Sequence, residues 1–424
     1  MTGRIAIIGG GWAGLAAAVR LVQAGQHVTL FEASKTFGGR ARTLNHPNTP
    51  SLDNGQHILL GAYHTCLDLI KTVGVCPERL LERRPLAFMN DVGFHLALSG
   101  YLPAPLNLAT GLFRLKSIPW QEKVKTALWM NHLKASCFQI PQDISVSHWL
   151  AKSPQSAEII ESLWKPLCLA AMNTHPDKAS AQVFANILRD SLGSSRRSDT
   201  DLLIPKAPLG ALFPEPAIQW LQKQGADIRP QTRIKELGIK GPFSFQVNTE
   251  SFCQVIVACA PQHAVHIHPL LSVDLNYAPI ATAYLQYPTE VRLPSRLFHL
   301  TAGTSKPWVV DRGNGLIACV FSDHGCWERL NNTELVHAMD SKLGLKHPLL
   351  WHKVIREHRA TFSATPNLIR PEPYVAPLGI WRIGDYCYSQ YPGTLEGAAR
   401  SGEWVSAQIL GSNAFHHLQS RTFG

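Results

Sequence analysis

Charge is sparse in this chain. Only 17% of its 424 residues are Asp, Glu, Lys or Arg, against 45% apolar, a balance that excludes a largely disordered protein. No uninterrupted run of about 20 apolar residues occurs, which argues against a membrane-spanning helix. The N-terminal apolar stretch is broken by Gly9 to Gly11 and by Arg20 and carries no small-residue cleavage site, so it reads as part of a fold and not as a secretory leader. Cysteine is equally uninformative as a scaffold. Cys66, Cys76, Cys137, Cys168, Cys253, Cys259, Cys319, Cys326 and Cys387 are odd in number, scattered, and without a C-x-x-C pair. They are expected to be reduced thiols in a cytoplasmic protein, with no disulfide frame and no metal site.

The chain is too long for one compact core and should divide into two or more domains. Its formal net charge is +10, but the basic residues are spread along the chain and not clustered with aromatics, so no nucleic-acid partner is expected. An anionic membrane surface or an incidental solubility charge remain as explanations.

The richest stretch lies at residues 5 to 40. An apolar run, Ile5-Ala6-Ile7-Ile8, leads into Gly9-Gly10-Gly11-Trp12-Ala13-Gly14, then a helix rich in alanine and a second apolar run, Val28 to Phe31, ending at Glu32. This is a βαβ unit of the dinucleotide-binding kind. Gly9 permits the tight turn, Gly11 lets a backbone amide reach a pyrophosphate, and Gly14 lets the helix pack on the sheet. The helix begins where its free N–H groups and positive dipole end meet the phosphates. Glu32 is placed to accept hydrogen bonds from adenosine ribose hydroxyls, which favours FAD or NAD over NADP.

Further along, Phe37-Gly38-Gly39-Arg40-Ala41-Arg42 pairs glycines with two guanidinium groups able to reach phosphate oxygens. Leu52 to Leu60 reads as a strand interrupted by the polar turn Asp53-Asn54-Gly55-Gln56-His57. Residues 101 to 135 mix apolar, aromatic and basic residues, with a helix expected from Pro119 through Ala135. The stretch suits either a membrane surface or an ordinary helical layer. A helix is expected over about Pro154 to Met172, with one broad apolar face. Strands are expected around 226–229, 232–234, 243–247 and 255–261, then at 284–287, 316–321 and 380–383. The last is closed by Gly384-Asp385, after which a helix starts near Leu395. That strand, turn and helix N-terminus suit a ribityl hydroxyl and a phosphate. No second strand-linked glycine fingerprint for a nicotinamide is visible.

These motifs resemble those of the amine oxidase and phytoene desaturase superfamily of flavoproteins. Gly9, Gly11, Gly14, Glu32, Gly38, Gly39 and Arg40 match its N-terminal signature, and Gly384, Asp385 and Leu395-Glu396-Gly397-Ala398 its C-terminal one. Two middle segments, Asp53 to Tyr63 and Leu163 to Thr174 with Ala179-Ser180-Ala181, resemble more narrowly the hydroxysqualene dehydroxylases, or squalene-associated FAD-dependent desaturases, of bacterial hopanoid pathways. The resemblance runs over nearly the whole chain. It implies an α/β fold in which a discontinuous Rossmann-like FAD-binding domain (residues 1–65, 205–265 and 375–424) carries an inserted α+β substrate domain (66–204 and 266–374), as in amine oxidases. It implies FAD held by Gly9, Gly11, Trp12, Ala13, Gly14, Glu32, Gly39, Arg40, Ile234, Gly384, Asp385 and Leu395.

It also implies a reaction, the reduction of hydroxysqualene to squalene and water. Partners would be that isoprenoid substrate, a transient contact with the upstream synthase, and peripheral contact with the inner face of the membrane. Replacing a carbinol hydroxyl by hydrogen needs an acid for the departing oxygen and walls that exclude water. His57 is the first candidate acid because an imidazole titrates near neutral pH. Asp53 and Asn173 are further candidates for site polarity, and Trp164, Leu167, Met172 and Phe184 for the lining of a substrate tunnel. Two other function classes remain open: an oxidative carotenoid or squalene desaturase or amine oxidase, and a non-catalytic FAD-containing isoprenoid-binding protein.

Overall fold

The computed structural model describes residues 3–44, 51–241, 243–303 and 306–411. Residues 1–2, 45–50 and 412–424, which belong to the expected FAD-domain pieces 1–65 and 375–424, lie outside them.

The first apolar run forms the strand Ile5–Ile8, fully buried and paired in parallel with Val28–Phe31 on one side and Gln254–Val257 on the other. Asp227–Arg229, Ile380–Arg382 and Tyr374–Val375 complete a six-stranded sheet, parallel except at the last pair. A central parallel strand must be covered on both faces, which is why this run has no polar residue. Ile5 and Ile7 pack with the alanine-rich helix Trp12–Gln23. Ala6 and Ile8 face the other way, with Phe245, Val247 and Phe252 of a small antiparallel sheet built from 237–252.

A second, seven-stranded sheet has the order 351–362, 277–286, 316–322, 308–313, 297–299, 87–90, 95–97. One face packs on the helix Asn332–Leu343 through Leu335, Val336 and Met339. The other turns Tyr284, Trp308 and Val310 toward a layer of helices that includes Trp120–Ala135, Lys165–Met172 and Ala181–Asp190.

Local structure departs from expectation at three points. Thr232 to Ile234 is not a strand: the chain crosses the carboxyl ends of the sheet there, with Thr232 N donating to Glu32 O (2.8 Å). The expected Pro154–Met172 helix starts later, at Ala157, where Ser156 caps it through its hydroxyl. It also widens into a π-turn over Ile160–Trp164. Pro166 follows, and a proline has no N–H to donate and crowds the carbonyl four residues back, which the wider turn relieves. In Trp120–Ala135, Lys123 points inward and donates to Phe113 O (2.9 Å), while Trp120 and Leu128 are exposed. The helix therefore does not divide into an apolar inner and a basic outer face.

The helix Leu395–Ile409 crosses Trp12–Gln23 closely enough that a Cβ on Gly402 would stand 2.4 Å from Ala13 O and 3.0 Å from Ala17 N, both backbone atoms. Gly11 is the opposite case, its nearest neighbour being Gly39 Cα at 3.9 Å. Gly402→Ala should thus destabilise the protein by about 1–3 kcal/mol through overpacking, and Gly11→Ala should leave stability within about 0.5 kcal/mol. Chemical denaturation of the cofactor-free variants checks both.

Candidate active site

One cavity of about 1070 Å³ runs from the glycine loop to an apolar chamber under the second sheet. At its polar end lie Gly9, Gly11, Trp12, Ala13, Glu32 and Gly39, together with Ile234, Gly384, Asp385 and Leu395. Gly9 holds a positive φ of 118° at the turn out of the first strand, open to glycine without strain. Gly14 packs so closely that a Cβ there would stand 2.0 Å from Gly9 O. Glu32 braces the loop, accepting from Gly10 N and Ser34 N (both 2.7 Å). Among the described residues no side chain caps the helix Trp12–Gln23, so its first amides are left for a ligand. Thr394 caps the Leu395–Ile409 helix from its hydroxyl (Gly397 N, 3.1 Å), and this second helix start opens on the same cavity. Open space over Gly11, uncapped amides and a carboxylate at the second strand's end are a donor set that fits a dinucleotide.

Arg40 spans the two signatures. It donates to Asp385 Oδ1 (2.6 Å) and Ala360 O (2.8 Å), and Asp385 is buried. The Asp385 carboxylate holds the Arg40 guanidinium above its ordinary value despite burial. Arg40 lines the cavity as well, but its strongest polar contact is the C-terminal signature and not a position beside the glycine loop.

The polar turn divides. Asn54, Gly55, Gln56, His57 and Ile58 line the cavity, and Asp53 does not. Asp53 sits behind them at 2% exposure, accepting from Leu209 N (2.7 Å) and facing Arg312 at 3.9 Å. Burial lifts its carboxyl to about 6. Arg312 in turn donates to Gln56 Oε1 (2.7 Å), whose amide donates to His57 O (2.9 Å). Asp53 and Arg312 therefore position the turn from behind. His57 is pushed down to about 4, first by burial and then by Arg40 and Arg312. An imidazole in that setting is neutral at pH 7, so the expectation that it titrates near neutrality does not hold.

Asn173 ends the Lys165–Met172 helix in the left-handed conformation (φ 46°, ψ 36°), which asparagine tolerates. Its amide donates to Thr361 Oγ1 (2.9 Å), and its oxygen accepts from Asp323 N (2.7 Å). Although it borders the cavity, its polar atoms clamp the helix to the second sheet. Leu167, Met172 and Phe184 do line the cavity, joined by Leu86, Leu188, Leu297, Val310 and Val320. Trp164 does not: it is buried against Trp129 (5.4 Å between ring centroids) and donates to Gln155 Oε1 (2.7 Å).

Three acidic positions carry roles that the sequence motifs do not assign. Glu396, fully buried, accepts from Thr65 N (3.1 Å) and Cys66 N (3.0 Å), capping the helix His64–Thr72 from across the chain. Glu357 and Asp190 line the cavity. Glu396 stood inside a recognised motif and signalled itself only by being an acid among small apolar residues. Asp190 carried no local signal, because its hydrogen-bond partner, Tyr391, is 201 residues away.

The chain is similar to hydroxysqualene dehydroxylase of Rhodopseudomonas palustris, at 26% identity over 97% of this chain and 99% of that one. It is also similar to hydroxysqualene dehydroxylase of Sinorhizobium fredii, at 27% identity over 95% and 97%. Among solved structures, cyclohexylamine oxidase of Brevibacterium oxydans shares the fold, with a TM-score of 0.68 at 16% identity over 96% of this chain and 99% of that one. The protein is an FAD-dependent oxidoreductase. The model of the flavin containing amine oxidoreductases matches residues 12–410, from the first helix of the nucleotide cradle to the end of the last, and the chain belongs to that family.

Proposed function

We propose that this protein reduces hydroxysqualene to squalene and water. The observation that carries this is the continuity of one cavity from a dinucleotide cradle into a chamber walled by Leu86, Leu167, Leu188, Leu297, Val310 and Val320, in a chain that hydroxysqualene dehydroxylases match nearly end to end. Glu32 would hold the adenosine ribose, the amides after Gly11 the pyrophosphate, and the Gly384-Asp385 turn with the Leu395 helix start the rest, the division of the chain being 1–65, 205–265 and 375–424 for cofactor and the remainder for substrate. When bound and reduced, the flavin supplies the hydrogen and electron pair that replace the hydroxyl.

The chain's own work is to place and dry the reacting carbon. Apolar walls exclude water, which would otherwise capture a carbon losing its oxygen. Neutral His57 can hold one hydrogen bond without adding a charge to the chamber, and Arg312 and Gln56 keep its backbone in place.

A bilayer-soluble substrate calls for access from a membrane. Six of the thirteen exposed large apolar side chains among the described residues (Tyr101, Leu102, Leu106, Phe113, Trp120 and Leu128) fall in residues 101 to 128, beside exposed Arg114, Lys116 and Lys125. Asn107 of this segment donates to Thr200 Oγ1 (3.3 Å), and Thr200 borders the cavity. Apolar and basic residues together suit an anionic leaflet. Among the described residues no helix is long and apolar enough to cross it.

Anaerobic incubation of the reduced holoenzyme with hydroxysqualene should give squalene and reoxidised flavin in equal amounts; neither product, alongside active amine turnover, would overturn the assignment. Gly11→Ala should weaken FAD binding by tenfold or more, about 1.4 kcal/mol, read as flavin retained on dilution. In flotation assays the protein should rise with anionic vesicles at low salt, and Phe113→Ser with Trp120→Ser should abolish it; wild-type protein remaining at the bottom would remove the membrane contact.

A further inference from the structure

Reduction of an alcohol in an apolar chamber needs a group that recognises the hydroxyl and protonates it as it leaves, and none of the three residues singled out by sequence is free for that. His57 is neutral, Asp53 does not border the cavity, and the amide and oxygen of Asn173 are engaged by the second sheet. Elsewhere on the cavity wall, Asp190 and Tyr391 meet where the amphipathic helix Ala181–Asp190 touches the loop leading into Gly393, Thr394 and Leu395. The Tyr391 hydroxyl donates to Asp190 Oδ2, and Tyr391 is 4% exposed. Asp190 Oδ1 accepts from Arg189 Nε (2.7 Å), and Arg189 Nη2 is buried with no hydrogen-bond partner among the described residues. The Arg400 guanidinium lies over the Tyr391 ring, 4.8 Å from its centroid. Phe184, Ile187 and Leu188 flank the pair on the cavity wall.

A phenol donating to a carboxylate is a hydrogen bond that an alcohol can enter, because a hydroxyl accepts from one and donates to the other. A hydrocarbon can do neither. Resting on the dehydroxylase reading above, we propose that Tyr391 and Asp190 bind the hydroxyl of the isoprenoid alcohol between them and that Tyr391 is the acid that releases it. The substrate oxygen accepts from Tyr391, and its hydrogen is donated to Asp190. As the C–O bond breaks, its electron pair leaves with the oxygen, which takes the phenolic proton and departs as water. The bound, reduced flavin would supply the hydrogen and electron pair that fill the vacated carbon. Burial and Asp190 push the Tyr391 hydroxyl well above the ordinary phenol value despite Arg400 over its ring, so the phenolate regains a proton from solvent. The product has no hydroxyl and so loses both contacts, which favours its departure.

The test measures binding apart from turnover. Hydroxysqualene and squalene are titrated into the oxidised holoenzyme and followed by the flavin absorbance change, in wild type, Tyr391→Phe and Asp190→Asn. Wild type should bind the alcohol at least tenfold more tightly than the hydrocarbon. Both variants should lose that ratio while keeping squalene affinity and FAD content. Tyr391→Phe should also lower kcat at least a hundredfold with a much smaller change in KM. No alcohol preference in wild type, or a preference undiminished in both variants, overturns the pair's role whatever the turnover assay gives. Binding preference with no squalene formed by wild type would instead overturn the reaction while leaving the hydroxyl site standing.

Discussion

The ion pair of half-exposed Arg40 with buried Asp385 joins residues 345 apart in the chain and brings the two cofactor signatures to one cavity. A carboxylate as enclosed as Asp385 tolerates its charge only with a partner. Removing Arg40 would leave that carboxylate enclosed without its partner charge. Around that pair, the uncapped first turn of Trp12–Gln23 and the capped start of Leu395–Ile409 present their amides to the same space. The apolar chamber begins directly beyond, so cofactor and substrate spaces are parts of one volume.

Local rules made the cofactor half legible. The glycine spacing, the alanine helix, the all-apolar strand and its terminal acid each depend on residues within about 30 positions, and each falls where that pattern places it. The parallel pairing of Ile5–Ile8 with Gln254–Val257 follows from a continuous apolar run bounded by small residues and Pro261. Sequence reasoning faltered where a residue's partner is distant or its polarity is spent internally. Thr232 to Ile234 has strand-like residues, yet tertiary hydrogen bonding sets its path. Pro166 was compatible with a helix only because of a π-turn that periodicity does not announce.

The site residues divide along the same line. His57 lines the cavity, but burial first, and then Arg40 and Arg312, keep its imidazole neutral, and neither its burial nor Arg312, 255 positions later, is visible to a motif. Asn173 occurs in a recognisable segment, and its left-handed backbone could be guessed only from its being an asparagine at a helix end. Asp190 and Tyr391 have meaning only as a pair. Chemistry made by two side chains 201 residues apart leaves no local trace.

The central strand has a consequence for synthesis. Ile5–Ile8 leaves the ribosome some 250 residues before one of its two neighbours, Gln254–Val257, and before the helix Leu395–Ile409 that covers Ala13 and Ala17. At about 5–20 residues per second, an apolar strand with one open edge waits on the order of ten seconds or more for its partner. Until then the nascent chain carries an aggregation-prone edge. This chain's most vulnerable moment is therefore its own translation, and the discontinuity that brings Arg40 to Asp385 makes the wait unavoidable.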